Sequence, residues 1–173
     1  WSPDGKKLAF SSKRENPDKH NNWDIYIKDI QKDSTTKLTE HDGADSDPYS
    51  VSRPEWSPNG EKIAYVRSGD PSLIWYSISQ IAITDVKNRS TELITNHLDR
   101  NTSFPMWSDD GSSLLFVIED DRNSQLAVFK NNKISKLTDN TKYISNYSKA
   151  YDIEGDVIAL LLSPSESPEE LYI

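Results

Sequence analysis

Trp-Ser-Pro-Asp-Gly at residues 1–5 returns as Trp-Ser-Pro-Asn-Gly at 56–60, as Trp-Ser-Asp-Asp-Gly at 107–111 and, in a worn form, as Tyr-Asp-Ile-Glu-Gly at 151–155. Each copy reads as one tight turn. Serine opens it, Pro3 or Pro58 presets φ at the next position, Asp4, Asn59 or Asp110 tolerates the third, and glycine takes the left-handed conformation that other residues resist. The copies are separated by 55, 51 and 44 residues, close to the roughly 40 to 50 residues of a four-stranded repeat unit.

Working outward from each turn, the next segment is apolar and rich in β-formers: KKLAFSS (6–12), EKIAYVRS (61–68), SSLLFVIED (112–120) and DVIALLLSP (156–164). These are second strands. Third strands follow at DIYIKDI (24–30), SQIAITDV (79–86), QLAVFKN (125–131) and ELYI (170–173), mostly with apolar residues at alternate positions. Outer strands are expected at TKLTEH (36–41), TELITNH (91–97) and SKLTDN (135–140), and innermost ones at RPEW (53–56) and FPMW (104–107). The order predicts an all-β fold: a partial β-propeller of about four blades, each a four-stranded antiparallel sheet. The blades fall at 1–41, 52–97, 103–140 and 147–173. Trp1, Trp56 and Trp107, at one phase of the repeat, are expected to fill the space between adjacent blades.

Composition narrows the function classes. Of 173 residues, 34% are hydrophobic, which suits short half-buried strands joined by many polar turns. The formal charge of −8 argues against nucleic acid or an anionic membrane as partner, because phosphate binding needs a clustered basic surface. Lys6 and Lys7, and Lys13 and Arg14, read as solvated strand ends. No apolar run approaches the ~18 residues of a membrane-spanning helix. With no cysteine in the sequence, a disulfide framework and a thiol nucleophile are excluded, while cytoplasm and periplasm stay equally open.

Candidate chemistry is sparse. No Gly-x-Ser-x-Gly nucleophile elbow occurs, and His20, His41 and His97 stand in loop-like stretches beside Asn, Asp or Thr. No catalytic residue and no cofactor site is expected. Asp42, Asp45 and Asp47 in HDGADSDPYS (41–50) offer alternating oxygens, but the spacing lacks the glycine and distal Glu of an EF-hand, so the stretch reads as a solvated inter-blade loop with no metal. Asp24, Asp29 and Asp85 read as turn and edge residues. Trp75 and Tyr76 could stack on a sugar ring, but no paired carboxylates at glycosidase spacing accompany them, and a hydrophobic loop packed on the next blade is expected. The Asn-x-Ser/Thr triplets at Asn88, Asn101 and Asn146 are as frequent as chance allows in so Asn- and Ser-rich a chain.

The succession W-S-P-D-G, K-L-A-F, D-I-Y, K-L-T resembles the propeller repeat of the periplasmic TolB protein and of the prolyl oligopeptidase family. The stretch from Trp107 to Ile173 is similar to the last blades of acylaminoacyl-peptidase-like and dipeptidyl-aminopeptidase-like enzymes, through Ser163, Pro164, Ser165, Ser167, Pro168, Glu170, Leu171 and Tyr172. The resemblance implies a non-catalytic, substrate-gating propeller whose partners are a hydrolase domain, absent from this chain, and short peptides. A TolB-like protein-interaction module is the alternative. Arg53 and Glu55, two apart on a first strand, can face the channel together; they either bridge each other or hold a peptide carboxylate and a peptide amine. An incomplete first and fourth blade would expose edges, so self-association through open edges, or further blades in a longer chain, is expected.

Overall fold

The computed structural model describes residues 1–13, 22–48, 52–149, 157–163 and 167–173, without the side chains of Pro71, Ile74 and Trp75. Four antiparallel sheets follow one another along the chain. The first holds β1 (Lys7–Ser12), β2 (Asp24–Asp29) and β3 (Ser34–Lys37). The second holds β4 (Glu55–Trp56), β5 (Lys62–Arg67), β6 (Gln80–Asp85) and β7 (Thr91–Leu93). The third holds β8 (Thr102–Trp107), β9 (Ser113–Asp120), β10 (Asn123–Lys130) and β11 (Lys133–Lys136). The fourth holds β12 (Tyr143–Lys149), β13 (Ile158–Ser163) and β14 (Glu170–Tyr172). Each sheet is a meander in chain order, which makes it a propeller blade.

The serine turns are built three times over with the same bonds. Serine N–H donates to the carbonyl of Lys7, Lys62 or Ser113 at 2.8 to 2.9 Å, and the glycine N–H donates back to the serine carbonyl at 2.8 to 2.9 Å. The serine hydroxyl donates to Asp4, Asn59 or Asp110 and accepts the amide of Lys7, Lys62 or Ser113. Gly5, Gly60 and Gly111 all stand near φ +70°, where a Cβ is unfavourable. The turns also touch across blades. Pro3 approaches the position of a Gly60 Cβ at 3.6 Å, and Pro58 that of Gly111 at 3.5 Å. At the next step Asp109 replaces proline and pairs with Lys149 of β12. The fourth turn, 151–155, lies outside the described residues.

Between blades the core splits into three clusters, because strands buried on both faces send alternate residues to opposite neighbours. Ile63 and Tyr65 pack with Ile25, Leu38 and Trp56; Ala64 and Val66 pack with Trp107, Leu114 and Phe116. On β9, Leu115 and Val117 turn the other way, to Ile144, Tyr147 and Leu162. Trp56 and Trp107 are the expected inter-blade fillers. Trp1 is not: it is 68% exposed.

The first and third outer strands sit two residues earlier than the Leu-Thr pattern implied, and the second starts where expected but is shorter. Pairing starts directly after tight hairpins, such as Asn131-Asn132 with both residues at positive φ, and it closes on the residue before threonine, where the amides of Leu38, Ile94 and Leu137 donate to the carbonyls of Ile25, Ile81 and Leu126. There the threonine hydroxyl takes over from the ladder: Thr39, Thr95 and Thr138 accept the amides of Ile25, Ile81 and Leu126 at 2.9, 2.9 and 3.0 Å.

The stretch expected to be a solvated acidic loop is instead a buried strap between blades one and two. Gly43 to Ser46 are buried, Asp45 completely. Ala44 bridges to Trp23, and Asp45 to Arg67. Arg67 grips the Asp45 carboxylate through two nitrogens at 2.7 and 3.0 Å and also donates to the Tyr65 hydroxyl, which bonds Thr84. Asp45 answers an internal arginine, while Asp42 is exposed. Residues 49 and 50 of the stretch are outside the described set.

Candidate functional site

The innermost strands β4, β8 and β12 carry the side chains that meet at the inner edge of the arc. Glu55 is half-buried at the start of β4, and its carboxylate accepts no hydrogen bond among the described residues. Burial pushes its carboxyl above the usual range, and the charges of Lys149 and of the Trp1 ammonium pull it partly back. Tyr147 of β12 is pushed up as well, by its own burial and then by the nearby Glu55 charge. Its hydroxyl donates to the carbonyl of Phe104, a residue at φ +52° where β8 shifts register.

Lys149 ties the set together. Its ammonium donates to the Trp107 carbonyl at 2.6 Å and to Asp109. The Trp107 indole in turn donates to the backbone carbonyl of Glu55 at 3.3 Å. Glu55 of the second blade therefore lies beside Trp107 of the third and Tyr147 and Lys149 of the fourth. Sequence reasoning singled out Glu55 but missed Tyr147 and Lys149, which lie in a segment with no turn motif and so gave no signal. Arg53 is exposed and is not one of the charges acting on Glu55; the bridge between the two is not formed.

The remaining candidates separate. His41 bonds the carbonyl of Ser68 at 3.1 Å within the strap, and His97 is exposed. His20 and Arg14 lie outside the described residues, as do Pro164 and Ser165. Among the described residues no group of three or more His, Asp or Glu side chains could hold a metal ion. Asp29 and Asp85 accept turn amides, whereas Asp24 is buried and paired with Lys37 at 3.0 Å. Tyr76 ends a 3₁₀ turn, Pro71–Tyr76, and is 89% exposed, so it does not pack on a neighbouring blade. A cleft of about 460 Å³, lined by Asp99, Arg100, Glu119, Asp120, Arg122 and Tyr143 among others, sits apart from this set, at the hairpin ends of blades two to four. Within it Arg100 pairs with Asp120 at 2.8 Å, and Asp120 also takes Lys136 from outside the cleft.

Comparison with known proteins agrees with this architecture. Residues 2–77 match the family described as the dipeptidyl peptidase IV N-terminal region. The uncharacterized peptidase YuxL of Bacillus subtilis is 43% identical over 63 residues, 36% of this chain and 8% of its own length. A probable dipeptidyl-peptidase 5 of Aspergillus clavatus is 30% identical over 138 residues, 72% of this chain and 18% of its own. The chain thus spans less than a fifth of these relatives. Among solved structures, TolB from Acinetobacter baumannii superposes with a TM-score of 0.74 at 22% identity, covering 99% of this chain and 38% of its own. Pyrococcus horikoshii acylaminoacyl peptidase gives 0.69 at 17%, covering 99% and 24%.

Proposed function

Starting from a chain that forms the propeller region shared by prolyl oligopeptidase-family peptidases and TolB, we propose that it is a non-catalytic, substrate-gating wall for a hydrolase domain acting on short peptides. The observation that carries this reading is the Glu55 carboxylate, held half-buried at the inner edge without a hydrogen-bond donor. A desolvated carboxylate with open valences is costly to fold and is suited to receiving a cation. A peptide α-ammonium supplies the charge and three donors at once. Arg53, exposed two residues earlier, meets a peptide carboxylate in this reading as a planar fork. In this reading hydrolysis is the task of the partner domain.

Calorimetric titration of the chain with short peptides tests it. A tripeptide with a free amino terminus should bind, and its acetylated form should bind ten- to a hundredfold more weakly, the worth of a charge-assisted hydrogen bond of about 1.5 to 3 kcal/mol. Glu55→Gln should erase that difference. Labelling of the chain by an active-site-directed fluorophosphonate should be absent. Peptide binding indifferent to both the amine and Glu55 contradicts gating and leaves the TolB-like interaction module; fluorophosphonate labelling contradicts the non-catalytic assignment.

A further inference from the structure

The repeat carries two prolines at fixed places, and the seam between the third and fourth blades replaces both. In the serine turn, Pro3 and Pro58 give way to Asp109. Two residues before the aromatic that opens the next copy, at Trp56, Trp107 and Tyr151, Pro54 and Pro105 give way to Lys149. The two replacements meet. The Lys149 ammonium donates to the Asp109 carboxylate and, at 2.6 Å, to the Trp107 carbonyl. Neither charge is needed to build a blade, since the first two seams have proline at both places.

What the pair does follows from its neighbour. The Lys149 side chain is 14% exposed and that of Asp109 is 69% exposed, so the ammonium lies inward and its partner reaches in from the surface. A desolvated ammonium is held more strongly by a half-buried carboxylate than by an exposed one, because the same charges attract more at lower dielectric. Glu55 is such a carboxylate: burial raises it, and Lys149 is the first of the charges that pull it back. Among the described residues, however, the ion pair of Lys149 is with Asp109. Its other bond is to the backbone of Trp107, whose indole fastens the Glu55 backbone from the opposite side. Tyr147, the other β12 side chain near Glu55, already donates its hydroxyl to the Phe104 carbonyl.

We infer that Asp109 is a catch: it holds the Lys149 ammonium off Glu55 and so keeps that carboxylate open for a ligand cation. That this cation is an amino terminus rests on the gating reading; where Lys149 is held does not. Released from Asp109, Lys149 turns to Glu55 and closes the site from within. Asp109 is thus a positioning residue, governing the site without touching the ligand.

Zero-length carbodiimide cross-linking of the 173-residue chain, read by mass mapping of its peptides, reports which carboxylate touches Lys149. The wild type should give the Asp109–Lys149 link. Asp109→Pro, which restores the turn of the first two blades, should give Glu55–Lys149 in its place, and Asp109→Ala should do the same. In calorimetric titration the free-amine tripeptide should bind about tenfold more weakly to Asp109→Pro, the worth of one charge-assisted contact. Binding should stay unchanged in Asp109→Glu and return when Asp109→Pro is combined with Lys149→Met, a rescue that a merely structural role of Asp109 would not allow. Three results overturn the inference: no Glu55–Lys149 link in either Asp109 variant, a Glu55–Lys149 link as abundant in the wild type, or weakened binding that Lys149→Met does not restore. A wild type that binds no tripeptide is instead a failure of the gating reading, and the cross-links still decide whether Asp109 holds Lys149 off Glu55.

Discussion

Asp110 and Glu55 are carboxylates whose surroundings push them in opposite directions. Hydrogen bonds from Ser108 and Ser112 lower Asp110 to about 2, below the ~3.9 of an unfolded chain. Its stabilising bonds are thus complete above about pH 4 and are lost as the pH falls towards 2. Amide exchange at Ser112 and Ser113 should accelerate across that window, and Asp110→Asn, which mimics Asn59 in the second turn, should flatten the pH dependence. Glu55 is raised by burial; its cost to folding is absent below the unfolded value and grows as pH rises through the folded one. Glu55→Gln should therefore raise the melting temperature at pH 7 while weakening amine binding, the opposition expected of a functional group in a strained place. An unchanged or lower melting temperature would contradict this account of Glu55.

The serine turn and the threonine closure are what each blade repeats, and their worth differs with depth. Thr95 is fully buried and accepts the Ile81 amide. Thr95→Val keeps the shape but leaves that amide without an acceptor, so urea unfolding should show a loss of about 1 to 3 kcal/mol. Thr138, half-exposed in the third blade, lets water replace the lost hydroxyl, and Thr138→Val should cost distinctly less. The K-L-T pattern was visible beforehand, but as part of an outer strand. Its real task, a side chain continuing a backbone ladder, could not be read from β-propensity, because the same residues favour either role.

Across the whole molecule, blades are joined by buried apolar faces and, between the first two, by the Asp45–Arg67 pair. Asp45 is fully buried, so Asp45→Ala should strand the arginine charge and destabilise by about 3 to 5 kcal/mol. Replacing both partners with apolar residues should recover most of that loss, and chemical denaturation of the three variants decides it. At the ends of the arc Trp1, Leu171 and Ile173 are 68, 65 and 89% exposed. What the sequence by itself determined is the repeat: turn chemistry and alternation are local, set by residues within a few positions of one another, so the blades and the inter-blade role of Trp56 and Trp107 could be read directly. Only the tertiary structure decided that the strap at 43–46 is buried, that Glu55 lies beside Lys149 and Tyr147, and that Trp1 stays exposed. Burial and charge pairing depend on which distant segments arrive at the same place, and no local pattern encodes that.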